Sequence, residues 1–450
     1  MRRSRYFAAG PIAAMAVMLG SLLAPAEAHA LDLPFKKSKL SNGLTVIVHE
    51  DHALPTVAVN VYYKVGSRDE QTKRTGFAHL FEHLMFMGTA RAPEGQFDAL
   101  MEAAGGSNNA WTSEDATDYH ETGPATSLKL LLWLEADRLE ALGKQIDQKK
   151  LDLQRDVVRN ERRQTSENEP YGKADLRMPE LLFPEGHPYH HPTIGSHEDL
   201  EAASVADVQA FFAKYYVPSN ASLVVAGDVK SDEVVELAQK YFGHIPAGTA
   251  PTRRGVEAAP KLGKVIRETM KDKVELPKLI IAFHSPAQLE EGDAELDLLA
   301  SVLSSGKASR LQKALMFDKS LARSVSVAQH SQEMSSIFEI EVIAQDGVTL
   351  DELEKAVDAV LTDAASRAPT ESELKRARSE YELGFVSRLQ GMAARAALLN
   401  AYEAKKGDPG FVDRDLARYK NATADGILSW AKKTLTLDSR VIVRVVPEGK

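Results

Sequence analysis

Apolar and polar positions alternate along Leu44-Thr-Val-Ile-Val48 and again along Val57-Ala-Val-Asn-Val-Tyr62, with a turn region from Glu50 to Pro55 between them. A period of two sends successive side chains to opposite faces, so this pattern predicts an antiparallel hairpin with one buried face. The period then changes. Phe77 to Leu84 has the spacing of an apolar helix, and Leu151 to Asn168 reads as a long charged helix with Leu153, Val157 and Val158 as its apolar stripe. Strand-like runs return at Leu223–Val225, at Ser324–Gln329 and Ile337–Val342, and at Val441–Val443. Antiparallel strands with helices packed on one face make an α+β architecture.

The pattern repeats. Ala206-Asp207, Phe212-Ala213-Lys214 and Leu223–Val225 line up with Ala424-Asp425, Trp430-Ala431-Lys432 and Val441–Val443 at a shift of 218. The same shift carries Val61-Tyr62-Tyr63 onto Leu279-Ile280-Ile281 and Gly88 onto Gly306. Two homologous domains follow, each an antiparallel-rich sheet with helices on one face, joined through the proline- and glycine-containing stretch near Pro246–Arg254. The expected bounds are 31–247 for the first domain, 248–256 for the linker and 257–450 for the second.

The chemistry sits on the first apolar helix. His79 and His83 are four apart and project from one helical face, which lets both imidazoles reach one tetrahedral Zn²⁺. Glu82 lies beside that face, placed to take a proton from a water. The order H-x-x-E-H is the inverzincin form of the zinc-peptidase motif. A catalytic zinc needs a third protein ligand, and the charged helix offers Glu161, one of several carboxylates there, with Gln154 two turns earlier on the same face.

Further residues carry a resemblance. Val65-Gly-Ser-Arg-Asp-Glu70, Thr75 to Thr89 around the motif, Asn109-Ala-Trp-Thr-Ser-Glu-Asp115-Ala-Thr-Asp-Tyr119 and Asn160-Glu161-Arg-Arg together resemble the pitrilysin/insulinase family of zinc peptidases, which includes the mitochondrial processing peptidase. His187-Pro-Tyr189 with Ile194-Gly195, and Pro218-Ser-Asn220 before Leu223 to Asp228, extend the likeness over the mature chain.

The resemblance implies that His79, His83 and Glu161 bind zinc and that Glu82 activates the water. It implies that Asn109 and Ala110, with Trp111 beside them, lie on an edge strand that pairs with the substrate backbone. Many relatives carry a Glu where this chain has Gln154, which is expected to steady a ligand through a hydrogen bond. At the 218 shift His79, Glu82, His83 and Glu161 fall on Asp297, Ala300, Ser301 and Ser379, so one zinc per chain is expected, in the first domain. Relatives with a complete site place an Arg and a Tyr, seven residues apart, in the repeat facing the zinc. Here Met316 and Arg323 stand at those places, and no Tyr occurs from Ser309 to Val325. A second homologous subunit supplying the pair is therefore the expected partner, with a homodimer as the alternative.

Composition changes the picture little. The 450 residues are 44% hydrophobic and 26% charged, with a net charge of −9 that argues against nucleic acid as a partner. Destination is more legible. Arg2, Arg3 and Arg5 precede an apolar run from Ile12 to Leu23, and Ala26-Glu-Ala28-His-Ala30 follows, so residues 1–30 read as a cleavable signal peptide. The chain has no cysteine, which excludes disulfides and thiolate metal sites. The expectation is a periplasmic or secreted zinc endopeptidase acting on extended peptides, with no stable membrane anchor. The rival is a non-catalytic subunit or scaffold of a peptidase complex. The histidines of His187-Pro-Tyr-His190-His191 read as surface residues and not as metal ligands, in a loop that the resemblance implies is structural, and Met85, Phe86 and Met87 read as packing.

Overall fold

The computed structural model describes residues 33–255 and 262–449. The expected signal peptide lies outside the described residues.

Two sheets are built in the same way. The first contains β1 (Lys36–Lys39), β2 (Thr45–Glu50), β3 (Thr56–Tyr63), β4 (Ser107–Thr112), β5 (Thr117–Pro124) and β6 (Ala221–Gly227), in the order β1-β2-β6-β3-β5-β4. The second contains β7 (Val265–Asp272), β8 (Lys278–Ser285), β9 (Ala322–His330), β10 (Ser336–Ala344) and β11 (Arg440–Pro447), in the order β7-β11-β8-β10-β9. Without β1 the two orders coincide strand for strand. Among the described residues each has a single parallel pair, β2 with β6 and β7 with β11, and antiparallel neighbours elsewhere. The structure is therefore two repeats of one α+β fold.

The constant shift does not survive. Gly76 and Gly292, both with positive φ, begin the equivalent helices Phe77–Leu84 and Asp293–Ser304, and their numbers differ by 216. Gly88 and Gly306, also at positive φ, close the same stretch at 218. The second repeat's stretch is thus longer by two residues, which a fixed offset cannot show.

Each repeat packs its own helices on one face of its sheet and receives a helix of the other repeat on the second face. Val57, Val59, Val61 and Tyr63 of β3 join the first core with Leu80, Leu84 and Leu131. The opposite face of β3 and β6 is covered by the helix Met392–Lys406 of the second repeat. Its Asn400 is fully buried and donates from Nδ2 to Asn60 O at 3.0 Å, Asn60 Oδ1 at 2.6 Å and Ser222 O at 3.2 Å. Those bonds offset the cost of burying an amide. In return, Ala174, Met178 and Leu182 of the first-repeat helix Gly172–Leu182 pack against Ile280, Ala282, Val441 and Val443 of the second sheet. This exchange explains why β3 is buried from Val57 to Tyr63 and not on one face only.

Candidate active site

The Phe77–Leu84 helix is placed by groups outside it. Gly76 caps it at φ 84°, a left-handed conformation that a Cβ resists. Gly195, at φ 73°, lies against it so closely that an added Cβ would meet Gly76 Cα and N at 2.4 Å. Glu70, its side chain fully enclosed, accepts from Gly76 N at 2.9 Å and Ala78 N at 2.7 Å, a carboxylate at a helix N-terminus where orphan N–H groups favour it. Burial pushes the Glu70 carboxyl up, and the hydrogen bond from His191 at 2.9 Å opposes that. The His187–His191 loop is structural, since His191 steadies the cap and His190 Nδ1 pairs with Phe183 O at 2.7 Å.

The helix Gln148–Arg162 brings Glu161 to both histidines. Its buried apolar positions are Leu151 and Val158, while Leu153 and Val157 are 43% and 40% exposed. Of the stripe expected from the sequence Val158 is buried, whereas Leu153 and Val157 lie two turns and one turn before Glu161 on its side of the helix and are exposed. The helix continues as a π-helical turn over Arg163–Glu167.

His79 Nε2 and His83 Nε2 are 3.3 Å apart, Glu161 Oε2 is 3.1 Å from His83 Nε2, and Glu161 Oε1 is 3.6 Å from His79 Nε2. Donors on a tetrahedron with metal–ligand bonds of about 2.0–2.1 Å would be separated by about 3.3–3.4 Å. Protonation fits as well. Burial, reinforced by His83, holds the His79 imidazole down to about 4, so it is neutral at physiological pH. The hydrogen bond from His83 keeps Glu161 below the usual carboxylate range. This is the only such donor cluster among the described residues.

Glu82 stands beside the three donors. Burial raises its carboxyl, and Thr112 at the end of β4 opposes this by donating from Oγ1 to Glu82 Oε2 at 2.6 Å. A carboxylate tuned upward by desolvation is suited to accept and return a proton. Thr112 stands within the Asn109–Tyr119 run of the resemblance, which gives it no role. A threonine that ends an alternating strand opposite the motif helix was the available signal.

Asn109, Ala110 and Trp111 lie on β4, which pairs with β5 on one side and forms the edge of the sheet. Trp111 is 41% exposed and meets Tyr62 edge-on at 6.2 Å. Gln154 requires a correction. Its Nε2 meets Met87 Sδ at 2.8 Å, and among the described residues no hydrogen bond joins it to His79, His83 or Glu161. At two turns from Glu161 the shorter reach is to the thioether of the turn that follows the motif helix.

The second repeat keeps the geometry and loses the chemistry. Ser301, at the place of His83, donates to Glu380 Oε2 at 2.7 Å, as His83 faces Glu161. Glu380, one residue beyond the Ser379 expected from the fixed shift, is thus the counterpart of Glu161. Asp297, at the place of His79, is bonded by the Tyr419 hydroxyl at 2.6 Å. Met316 lies in a π-helical turn over Lys313–Asp318, half-buried against the second core, and Arg323 is exposed on β9.

Comparison with known proteins agrees with this geometry. A model of the insulinase family, peptidase family M16, matches residues 45–180, and a model of the peptidase M16 inactive domain matches residues 202–381. The zinc protease PqqE of Helicobacter pylori is 31% identical over 402 residues, 88% of this chain and 89% of that one. The chain belongs to the insulinase family of peptidases. The beta subunit of the mitochondrial-processing peptidase of Lentinula edodes is 26% identical over 386 residues, 81% of this chain and 79% of that one. The crystal structure of a protease from Helicobacter pylori superposes with a TM-score of 0.84 at 26% identity, covering 92% of this chain and 99% of that one. Zinc-protease relatives and an M16 match over the half that carries the H-x-x-E-H helix make this chain a member of a metallopeptidase family. The inactive-domain match spans much of the ligand-poor repeat and the last helices and strand of the first.

Proposed function

We propose that the protein is a zinc-dependent endopeptidase that hydrolyses extended peptides or unfolded protein segments. The observation that carries this reading is the meeting of three elements: the donor cluster of His79, His83 and Glu161, the raised Glu82 carboxyl, and an edge strand tied to Glu82 through Thr112. His79, His83 and Glu161 would hold one zinc. Bound zinc supplies Lewis acidity to the scissile carbonyl and to a water beside Glu82. Glu82 takes the proton of that water and returns it to the leaving amine. The peptide adds as a strand along Asn109, Ala110 and Trp111, where backbone pairing tolerates many sequences. Leu153 and Val157, exposed on the Glu161 side of their helix, are the apolar side chains placed to meet those of the substrate.

Residues 31–247 form the catalytic domain in this reading, 248–256 the linker and 257–450 the second domain. Residues 1–30 direct the chain to the periplasm or beyond. No helix among the described residues is long and apolar enough to cross a membrane. The half-buried Met316 and exposed Arg323 offer no Arg and Tyr pair, so the protein works beside a second homologous subunit that carries one. Digestion of a peptide library by purified protein, read by mass spectrometry with and without chelator and with a co-secreted homologue, tests these points. Chelator-sensitive cleavage that rises on adding the homologue is expected. No cleavage under any condition would overturn the peptidase reading, and full activity of the isolated chain would overturn the heterodimer.

A further inference from the structure

The turn between β4 and β5, residues 113–116, is gripped from two sides. On one side Ser67 N and Arg68 N donate to Ser113 O at 3.1 Å and Glu114 O at 3.0 Å. Gly66 lies so close that an added Cβ would meet Glu114 O at 2.3 Å. On the other side the turn between β9 and β10 reaches across from the second repeat, and Glu333 N donates to Asp115 Oδ2 at 2.9 Å. Asp115 Oδ1 accepts from Arg68 Nη1 at 2.9 Å and from the Tyr189 hydroxyl at 2.6 Å, while that hydroxyl accepts from Met334 N at 3.0 Å. Arg253 donates to Asp115 O at 2.6 Å and lies 3.3 Å from both Asp69 Oδ2 and Glu333 Oε2. Asp115 is thus the point where the motif loop, the Tyr189 loop, the inter-repeat segment and the second repeat converge.

Two short paths lead from this point to the site. Backwards along the chain, three residues away, Thr112 holds Glu82. Forwards from Arg68, two residues on, Glu70 caps the helix that carries His79 and His83. Among the described residues strand β4 has only β5 beside it, and an edge strand with one neighbour frays unless its end is fixed.

We propose that Asp115 is a positioning residue that locks the β4–β5 turn to the Glu333–Met334 turn of the second repeat, so that the ligand-poor repeat fixes the substrate strand against the metal-binding helix. This rests on the peptidase reading above. Misplacing a substrate by about 1 Å can cost ~10²-fold in rate, so loosening β4 acts on catalysis without touching a ligand or Glu82. The second repeat thereby contributes to the reaction without supplying a ligand.

The test uses the full chain with Asp115→Asn and, as a milder variant, Tyr189→Phe. Asparagine keeps the shape and one acceptor but turns an N–H₂ toward donors; phenylalanine removes the bridge between Asp115 and Met334. Arg440→Met is the control, because it breaks a part-buried pair with Asp358, 2.6 Å long, inside the second repeat. Zinc content should stay full in all three. For the first two, amide exchange over 107–112 should quicken, and kcat/KM for a long peptide should fall about 10- to 100-fold, through kcat where the peptide is misplaced and through KM where the loosened strand holds it more weakly. The control should lose thermal stability and keep its kcat/KM. Exchange in β4 unchanged in both Asp115→Asn and Tyr189→Phe, or a fall in kcat/KM matched by the control, would overturn the proposal. A zinc-loaded wild type that cleaves no peptide would overturn the reading it rests on, while the exchange experiment still decides the lock.

Discussion

Replacing Gly195 by alanine should damage the metal site from a residue that touches no ligand. Gly195 adopts φ 73°, and a Cβ there would meet Gly76 Cα and N at 2.4 Å and Thr75 C at 2.5 Å. The first cost is the left-handed backbone, about 1–2 kcal/mol for a residue with a Cβ. The second is overpacking against backbone atoms that cannot rotate away, about 1–3 kcal/mol. Ordinary carbon contacts need roughly 1 Å more, so Gly76 must retreat, and with it the Glu70 cap and the start of the helix that bears His79. Gly186 provides the comparison: it has φ 82° and open space within 4 Å of where a Cβ would stand, so its alanine variant bears the backbone strain alone. Thermal melting with and without added zinc, together with zinc titration, reads the difference. Gly195→Ala should melt well below Gly186→Ala and bind zinc about 10–100-fold more weakly, the scale of losses when a ligand's support is disturbed. Equal melting and equal zinc affinity in the two variants would refute the argument.

Other outcomes follow from the same structure. Thr112→Val removes the hydrogen bond that favours the ionised form of Glu82, so the acid limb of the pH–rate profile should move to higher pH, while Thr112→Ser should leave it in place. In metal-free protein His79 is held down to about 4 against an ordinary value of 6.5, so the unfolded chain binds the extra proton and stability should fall as pH drops from about 6.5 to about 4. Denaturation of apo His79→Gln across that window should show a flatter dependence. Peptides N-methylated near the scissile bond should bind more weakly if the substrate adds to β4, and indifference at every position would exclude strand addition.

Much of this was legible in one sequence because its signals are local. The H-x-x-E-H spacing fixes two imidazoles on one helical face, and the alternation of Val57 to Tyr62 fixes a strand. What escaped was set by packing between distant segments. The exchanged helices bury both faces of β3, which no period within β3 encodes. The inward face of the Gln148–Arg162 helix is chosen by Leu151 and Val158, with Leu153 and Val157 left exposed on the Glu161 side. The offset between the repeats runs from 216 at Gly76 and Gly292 through 218 at His83 and Ser301 to 219 at Glu161 and Glu380, so no single value serves, and Glu380 emerged as the counterpart of Glu161 only from its bond with Ser301. Gln154 illustrates the same limit, since a sequence shows that it shares a face with Glu161 but not that Met87 Sδ is nearer.

In the proposed mechanism three ligands and one base divide the labour. Zinc content and peptide turnover, measured side by side in wild type, His79→Ala, His83→Ala, Glu161→Gln and Glu82→Gln, test it most directly. Near-stoichiometric zinc is expected in wild type and Glu82→Gln, depleted zinc in the other three, and turnover lower by at least ~10²-fold in Glu82→Gln despite its metal. Full zinc in a folded His83→Ala protein, or wild-type turnover by Glu82→Gln, would contradict it.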